Sequence, residues 1–197
     1  MPNQVIRVGD CMRGTHLIWT GYGHWLPNDP RGSGSTVVRS EPLDDLGPVH
    51  IGRKSVQPAR GDVRAFYQQA ERRLLHPVVW FKEEHRQTIG RAIAAVVAEA
   101  GYTIWALAVL RNHVHAVVRT HHNRSEVMLG KFATATREAL WAAGLVKPLH
   151  PVWSARMYKV FLKSDDAVRR TIRYVENNPL KEGLPPQRWD WVTRFDR

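Results

Sequence analysis

Apolar and polar positions follow two periods along the chain, one typical of helices and one typical of strands. Helical spacing predicts four helices, over about Asp62–Leu75, Lys82–Ala100, Ser125–Ala143, and from Ser164 to Pro179. The polar residue that opens the first, third and fourth of these is expected to cap it. The second helix has the clearest apolar stripe, which ends at Gly101.

Segments rich in β-branched and aromatic residues predict strands over Thr15–Trp25, Tyr102–Leu110, His113–Thr120 and Val152–Leu162. The middle two are either separate strands with a tight connection or one long strand. Interleaved helices and few strands predict an α+β sandwich, in which helices pack on one face of an antiparallel or mixed sheet. We expect a single domain over 1–197, with a loop insertion at about 28–61 that has room for a short hairpin and an aromatic tail at about 185–197 that packs on the body.

The net charge of the chain indicates what kind of partner it binds. It has 197 residues, with 29 Lys and Arg against 18 Asp and Glu, and so a net charge of +11. This excess indicates a polyanion, either nucleic acid or an anionic membrane surface. The longest apolar run, Ile104 to Leu110, is too short to span a bilayer, and we expect no membrane partner.

The cysteine count and the first thirty residues bear on the compartment. Cys11 is the only cysteine, so no intramolecular disulfide can form, and the first thirty residues lack the pattern of a secretory signal. We therefore expect a cytoplasmic, nucleoid-associated protein.

A His-Val-His motif at 113–115 lies on a predicted strand. Residues two apart on a strand point to the same face, so the imidazoles of His113 and His115 are in reach of one metal ion. The motif alone is weak, because two surface or stacking histidines would give the same pattern.

A second motif lies on the last predicted helix. Tyr174 and Asn178 are four residues apart and share a face, and Asn178 precedes Pro179, which places it at the helix end. A tyrosine on an amphipathic helix is commonly a packing residue. Together with the histidines, however, it indicates phosphoryl transfer, which needs an oxygen nucleophile and a positive centre beside the non-bridging oxygens.

Both motifs resemble a known family. The segment 108–118 (AVLRNHVHAVV) resembles the metal-binding strand of HUH endonucleases, and 173–184 (RYVENNPLKEGL) is similar to the tyrosine–NP signature of REP-associated tyrosine transposases. The segment 18–27 (IWTGYGHWLP) resembles an N-terminal strand found in one branch of them. The three blocks occur in the family's order and bracket residues 15 to 184.

The resemblance implies a ferredoxin-like or RRM-like sandwich with a central antiparallel sheet. It also implies that His113, His115 and Asn178 bind Mg²⁺ or Mn²⁺, although imidazole ligands favour zinc or manganese over magnesium. Tyr174 would form a 5′-phosphotyrosine bond with single-stranded DNA beside hairpins or palindromic repeats. The protein would act as a monomer or homodimer. Glu176 and Asn177 are rival third ligands, and Tyr158 is a candidate second nucleophile, since some HUH enzymes use two tyrosines.

Several basic and aromatic residues are candidate DNA contacts, since a single-strand groove combines phosphate-binding cations with stacking rings. The alternative is a strand with one solvated basic face and one packed aromatic face. The candidates are Arg111, Arg119, Trp153, Arg156, Lys159 and Lys181. We expect Arg169, Arg170 and Arg173 to form the solvated side of the last helix, and His121 and His122 to lie at the surface.

Two other functions fit the same motifs. One is a replication-initiator nickase, which shares the chemistry and differs in its DNA target. The other is a non-catalytic single-stranded nucleic-acid-binding module of the same fold. A small zinc hydrolase fits less well, because the sequence lacks the Glu-bearing helix motif and the cysteine ligands of such sites.

Overall fold

The computed structural model describes residues 12–34 and 41–196, so Cys11 and the middle of the predicted insertion lie outside it. Its helices are α1 (Glu41–Asp44), α2 (Arg60–Glu71), α3 (Glu83–Ala100), α4 (Ser125–Ala142) and α5 (Asp165–Lys181). Its strands are β1 (Gly14–Gly21), β2 (Ile104–Val109), β3 (His113–Arg119) and β4 (Trp153–Leu162).

The strands form one four-stranded sheet in the order β2-β3-β1-β4, and every neighbouring pair is antiparallel. This order, with helices after β1 and β3, is the ferredoxin-like arrangement, and the α+β prediction is confirmed. The two central predicted strands are separate.

Helices cover both faces of the sheet, so the expectation of helices on one face is wrong. Helices α3 and α4 pack together over the face that carries Leu17, Trp19 and Val114. Helix α5 packs on the other face, where its Val168 and Val175 meet apolar residues of β2 and β3. Because helices lie on both sides of the sheet, β2 and β3 are buried on both faces.

Several predicted boundaries move. The first strand ends at Gly21 and not at Trp25, because a turn with Gly23 at φ +79° follows it. Helix α2 begins before Asp62, which lies in its first turn, and ends at Glu71 instead of Leu75. Ser125 does not cap α4; it is buried, and its hydroxyl lies 3.5 Å from that of Thr15.

Helix α5, which carries the tyrosine motif, starts as predicted and ends later. Ser164 is its cap, and the Ser164 hydroxyl accepts a hydrogen bond of 3.2 Å from the Ala167 amide. Pro179 does not end the helix, which runs on to Lys181 before Gly183 adopts φ +65°. Asn178 therefore lies inside the last turn and not at the helix end.

The predicted insertion forms a small unit of its own with α2. Its described part contains α1 and one isolated parallel bridge between Ser33 and Ile51, so no hairpin forms among the residues described there. A second hydrophobic core holds this unit together, and it consists of Leu26, Leu43, Phe66 and Ala70.

The tail packs on the body, as predicted. The Gln187 side chain pairs with both backbone groups of Val109, at 2.8 and 2.6 Å, and the Thr193 amide donates to the Ile104 carbonyl. The tail thus covers the outer edge of β2. Trp189 packs on α3 so closely that a Cβ added at Gly90 would lie 2.1 Å from its ring.

Candidate active site

The two histidines of the motif lie side by side on β3, a central strand. His113 and His115 project from the face that α5 covers, and their ring centroids are 4.7 Å apart in an edge-to-face arrangement. His115 is only 4% exposed. We call this side of the sheet, which also carries His16 on β1, the histidine face.

Hydrogen bonds fix the orientation of both rings. His113 Nδ1 lies 2.6 Å from Asn112 Oδ1, which can only accept, so Nδ1 carries the proton and Nε2 keeps its lone pair. His115 Nδ1 lies 2.9 Å from His16 Nε2, and this contact leaves His115 Nε2 outside the pair. Such partners on the far ring nitrogen are typical of metal-binding histidines.

Burial keeps this histidine cluster neutral. Desolvation lowers the pKa of His16 to about 4. It also lowers the pKa of His113 to about 4 and that of His115 to about 2, with smaller contributions from neighbouring histidines. At neutral pH the rings therefore offer lone pairs, which is the form that binds a metal ion.

Tyr174, on α5, lies over the histidine face. Its ring centroid lies 5.7 Å from that of His115 and 6.1 Å from that of His16, both edge-to-face. The residue is 46% exposed, so its hydroxyl can meet a large substrate. The Lys181 ammonium lies 4.9 Å from the centre of the Tyr174 ring and brings a positive charge to the same place.

Asn178 lies one helical turn beyond Tyr174 and is buried. Its amide Nδ2 has no hydrogen-bond partner within the described chain. A buried amide without a partner is costly to keep, and rotation of the amide would present an oxygen at the same place. Neutral imidazoles and an amide oxygen are groups that can bind a divalent cation. Over the described ranges, no three or more His, Cys, Asp or Glu side chains are grouped to hold a metal.

The sequence did not single out His16, which the structure adds to the site. Its ring stacks on His115 with centroids 5.0 Å apart. The predicted first strand, Thr15–Trp25, contains His16, but only the pairing of β1 with β3 brings this residue beside His115. Sequence separation of 99 residues hides such a contact from any local pattern.

Two of the predicted DNA contacts lie at the site. Lys181 is over the Tyr174 ring. Arg111, in the turn between β2 and β3, donates to the Glu182 carbonyl and so ties the end of α5 to the histidine strand. Arg111 is exposed.

The other predicted contacts lie elsewhere. Trp153 is 5% exposed in the core, where its indole N–H donates to Thr136 at 3.0 Å, so the prediction that it stacks on DNA is wrong. Lys159 pairs with Glu126 of α4, on the opposite face of the sheet from Tyr174. Arg119 is exposed at the far end of β3, about 20 Å along the strand from His113. The side chain of Arg156 lies outside the described part.

Two other candidate site residues, Glu176 and Tyr158, lie on α5 and β4. Glu176 lies on the flank of α5 that faces Trp105 and the tail, away from Tyr174. Tyr158 is on the histidine face of β4, with Ile18 of β1 between it and His115. Among the described residues, no helix has the length and apolarity needed to cross a membrane.

No protein-family model matches the chain, and no curated protein matches it. Among solved structures, the chain is similar to a REP-associated tyrosine transposase bound to a REP hairpin, with 13% identity, coverage of 95% of both chains and a TM-score of 0.44. It is also similar to a candidate transposase from Deinococcus radiodurans R1, with 13% identity, coverage of 85% of this chain and 91% of that one, and a TM-score of 0.40.

Proposed function

We propose that this chain is a metal-dependent single-stranded DNA endonuclease and strand transferase, an HUH transposase of the REP-associated tyrosine type. The observation that carries the proposal is the approach of Tyr174 to His115, at 5.7 Å between ring centroids, beside His113, which projects from the same face of the same strand. A nucleophile and a metal-binding pair so close together fit phosphoryl transfer better than packing alone.

The reaction conserves the number of phosphodiester bonds. The Tyr174 hydroxyl oxygen attacks the phosphorus of one DNA linkage, the bond from phosphorus to the 3′ oxygen breaks, and that oxygen takes up a proton and leaves as a 3′-hydroxyl. The 3′ portion of the DNA stays on the protein through a 5′-phosphotyrosine bond. Attack by a second 3′-hydroxyl releases the tyrosine and rejoins the strand, so no external energy source is needed.

His113, His115 and Asn178 would hold the divalent cation, Mg²⁺ or Mn²⁺. When bound, this ion supplies positive charge beside the non-bridging oxygens of the attacked phosphate. The protein's own contribution is to orient the ligands: Asn112 and His16 fix the two imidazoles, and Arg111 ties α5 to the histidine strand. Lys181 adds a fixed positive charge beside the nucleophile.

A gel assay tests the proposal. The protein is incubated with Mn²⁺ and hairpin-flanked single strands labelled at either end, and the products are separated under denaturing conditions. We expect a covalent band that carries the 3′ label and not the 5′ label. Tyr174→Phe and His115→Ala should abolish the band, whereas His122→Ala, a change at an exposed histidine away from the site, should leave it.

Other outcomes would point to the alternatives. Strands that bind without ever forming an adduct, over targets selected from a random library, would favour a non-catalytic binding module. An adduct formed on a fixed origin sequence in preference to repeated palindromes would favour a replication-initiator nickase.

A further inference from the structure

Helix α5 leaves part of the histidine face uncovered. The helix packs mainly on β2 and β3, so the described residues leave much of the half of this face formed by β1 and β4 uncovered. Three side chains form its floor: Ile18 is half-buried, Tyr158 is 64% exposed and Val160 is 39% exposed. Tyr158 and Val160 are among the exposed large hydrophobic residues of the protein.

Strand register places this floor directly beside the candidate active site. Ile18 pairs with His115 on one side and with Tyr158 on the other, so the three lie in one row across the sheet. His16 pairs with Val160 in the next row. At about 4.8 Å between strands, Tyr158 lies about 10 Å from His115.

A depression between α5 and β1 adjoins this floor. It is lined by His16, Ala167, Arg170, Thr171 and Tyr174, and His16 pairs with Val160 of the floor. We call the depression and the adjoining floor the α5 groove. It extends from Tyr174 to Ala167, about 10 Å along the helix, which is room for about three stacked nucleotides.

The groove contains Arg170, which we expected from the sequence to lie on the solvated side of the last helix. Arg170 is exposed, lines the groove and forms no ion pair with any residue of the described ranges. Arg169, by contrast, pairs with Asp166. Arg169 and Arg173 lie on the opposite flank of α5, towards Trp105 and the tail.

We infer that the α5 groove binds the single-stranded DNA that flanks the scissile phosphate, with Tyr158 stacking on a base and Arg170 contacting a phosphate. The inference rests on the proposed function, because it takes the polyanion held at Tyr174 to be single-stranded DNA. Three features favour this occupant. Tyr174 lines the groove, the groove combines the exposed Tyr158 ring with Arg170, and the chain carries a net charge of +11.

Equilibrium binding without metal tests the groove apart from the chemistry. The probe is a fluorescein-labelled oligothymidylate of about 16 nucleotides, and anisotropy is measured in EDTA. We expect Tyr158→Ala to weaken binding by about tenfold and Tyr158→Phe, which keeps the ring, to restore it. Arg170→Gln should weaken binding and reduce the slope of log affinity against log salt by about one.

The chain offers a matched control for each variant. Phe161 is exposed on the same strand as Tyr158 but on the other face, where the Lys159 ammonium lies 5.2 Å from the centre of its ring. Phe161→Ala and Arg173→Gln should therefore bind the probe like the parent. Equal losses in test and control variants would overturn the proposed groove.

The outcomes separate this inference from the proposed function. An adduct at Tyr174 together with unchanged binding by Tyr158→Ala and Arg170→Gln would leave the function standing and overturn the groove. Loss of binding in these variants without any adduct would support the groove and count against strand transfer. A change in sedimentation of free Tyr158→Ala, with unchanged DNA affinity, would assign the floor to contact between protein copies and overturn the inference.

Discussion

At the scale of single residues, the contact between His16 and His115 has the largest consequence. The 2.9 Å contact occupies His115 Nδ1 and holds the ring so that Nε2 remains outside the pair. Partners of this kind raise the basicity of a ligand and prevent rotation of its ring. We therefore expect His16 to act as a positioning residue for the His115 ring.

Replacement of His16 tests this role through metal affinity. His16→Ala should weaken Mn²⁺ binding by about 10- to 100-fold, the range measured for such partners. His16→Gln keeps a hydrogen-bonding group and should retain part of the affinity. The measurement is a Mn²⁺ titration followed by the electron paramagnetic resonance of the free ion, with His122→Ala as control. Equal affinity in all three variants would show that His16 only packs.

At the scale of elements, the packing of the tail on α3 decides the effect of one glycine. Gly90 is buried in the middle of α3, and the Trp189 ring fills the space where a Cβ would stand, at 2.1 Å. Gly130 lies in α4, and a Cβ added there would meet nothing within 4 Å. The two helical glycines thus differ only in their surroundings.

We expect opposite effects from the same substitution at these two glycines. Gly130→Ala should raise the free energy of unfolding by about 0.5–1 kcal/mol, because alanine favours helix. Gly90→Ala should lower it by about 1–3 kcal/mol, because it forces the tail away from α3. Urea denaturation of both variants measures the difference, and stabilisation by Gly90→Ala would contradict the packing of Trp189.

The elements also show what the sequence can predict. The stripe on α3, the Ser164 cap and the His-Val-His strand are local patterns, and all were predicted. Trp153 and the His16 contact depend on which strands become neighbours, and no local pattern encodes that. The end of α5 was misplaced, because Pro179 was expected to end the helix and lies instead in its last turn.

At the scale of the whole molecule, the buried neutral histidines make stability depend on pH. The pKa values of His16 and His113 are about 4 in the folded protein and that of His115 is about 2, all below the ordinary value of 6.5. At pH values between the folded pKa values and 6.5, the unfolded chain binds more protons than the folded one. Stability is therefore present above pH 6.5 and is lost as the pH falls towards 4.

Acid titration of metal-free protein tests this coupling. Between pH 7 and pH 5, the free energy of unfolding in EDTA should fall by about 2 kcal/mol for each of the three histidines. His16→Gln removes one of the titrating groups and should make the fall shallower. A stability that stayed level or rose on acidification would contradict the burial of the cluster.

The central claim is that Tyr174 becomes covalently joined to DNA, and peptide mapping of the adduct tests it most directly. Trypsin cleaves after Arg173 and Lys181, so Tyr174 and Asn178 fall in one peptide, 174–181, while Tyr158 falls in another, 157–159. After reaction with hairpin-flanked DNA and nuclease digestion, mass spectrometry should find a nucleotide on peptide 174–181. A nucleotide on peptide 157–159, or an adduct that persists in Tyr174→Phe, would contradict the assignment of the nucleophile.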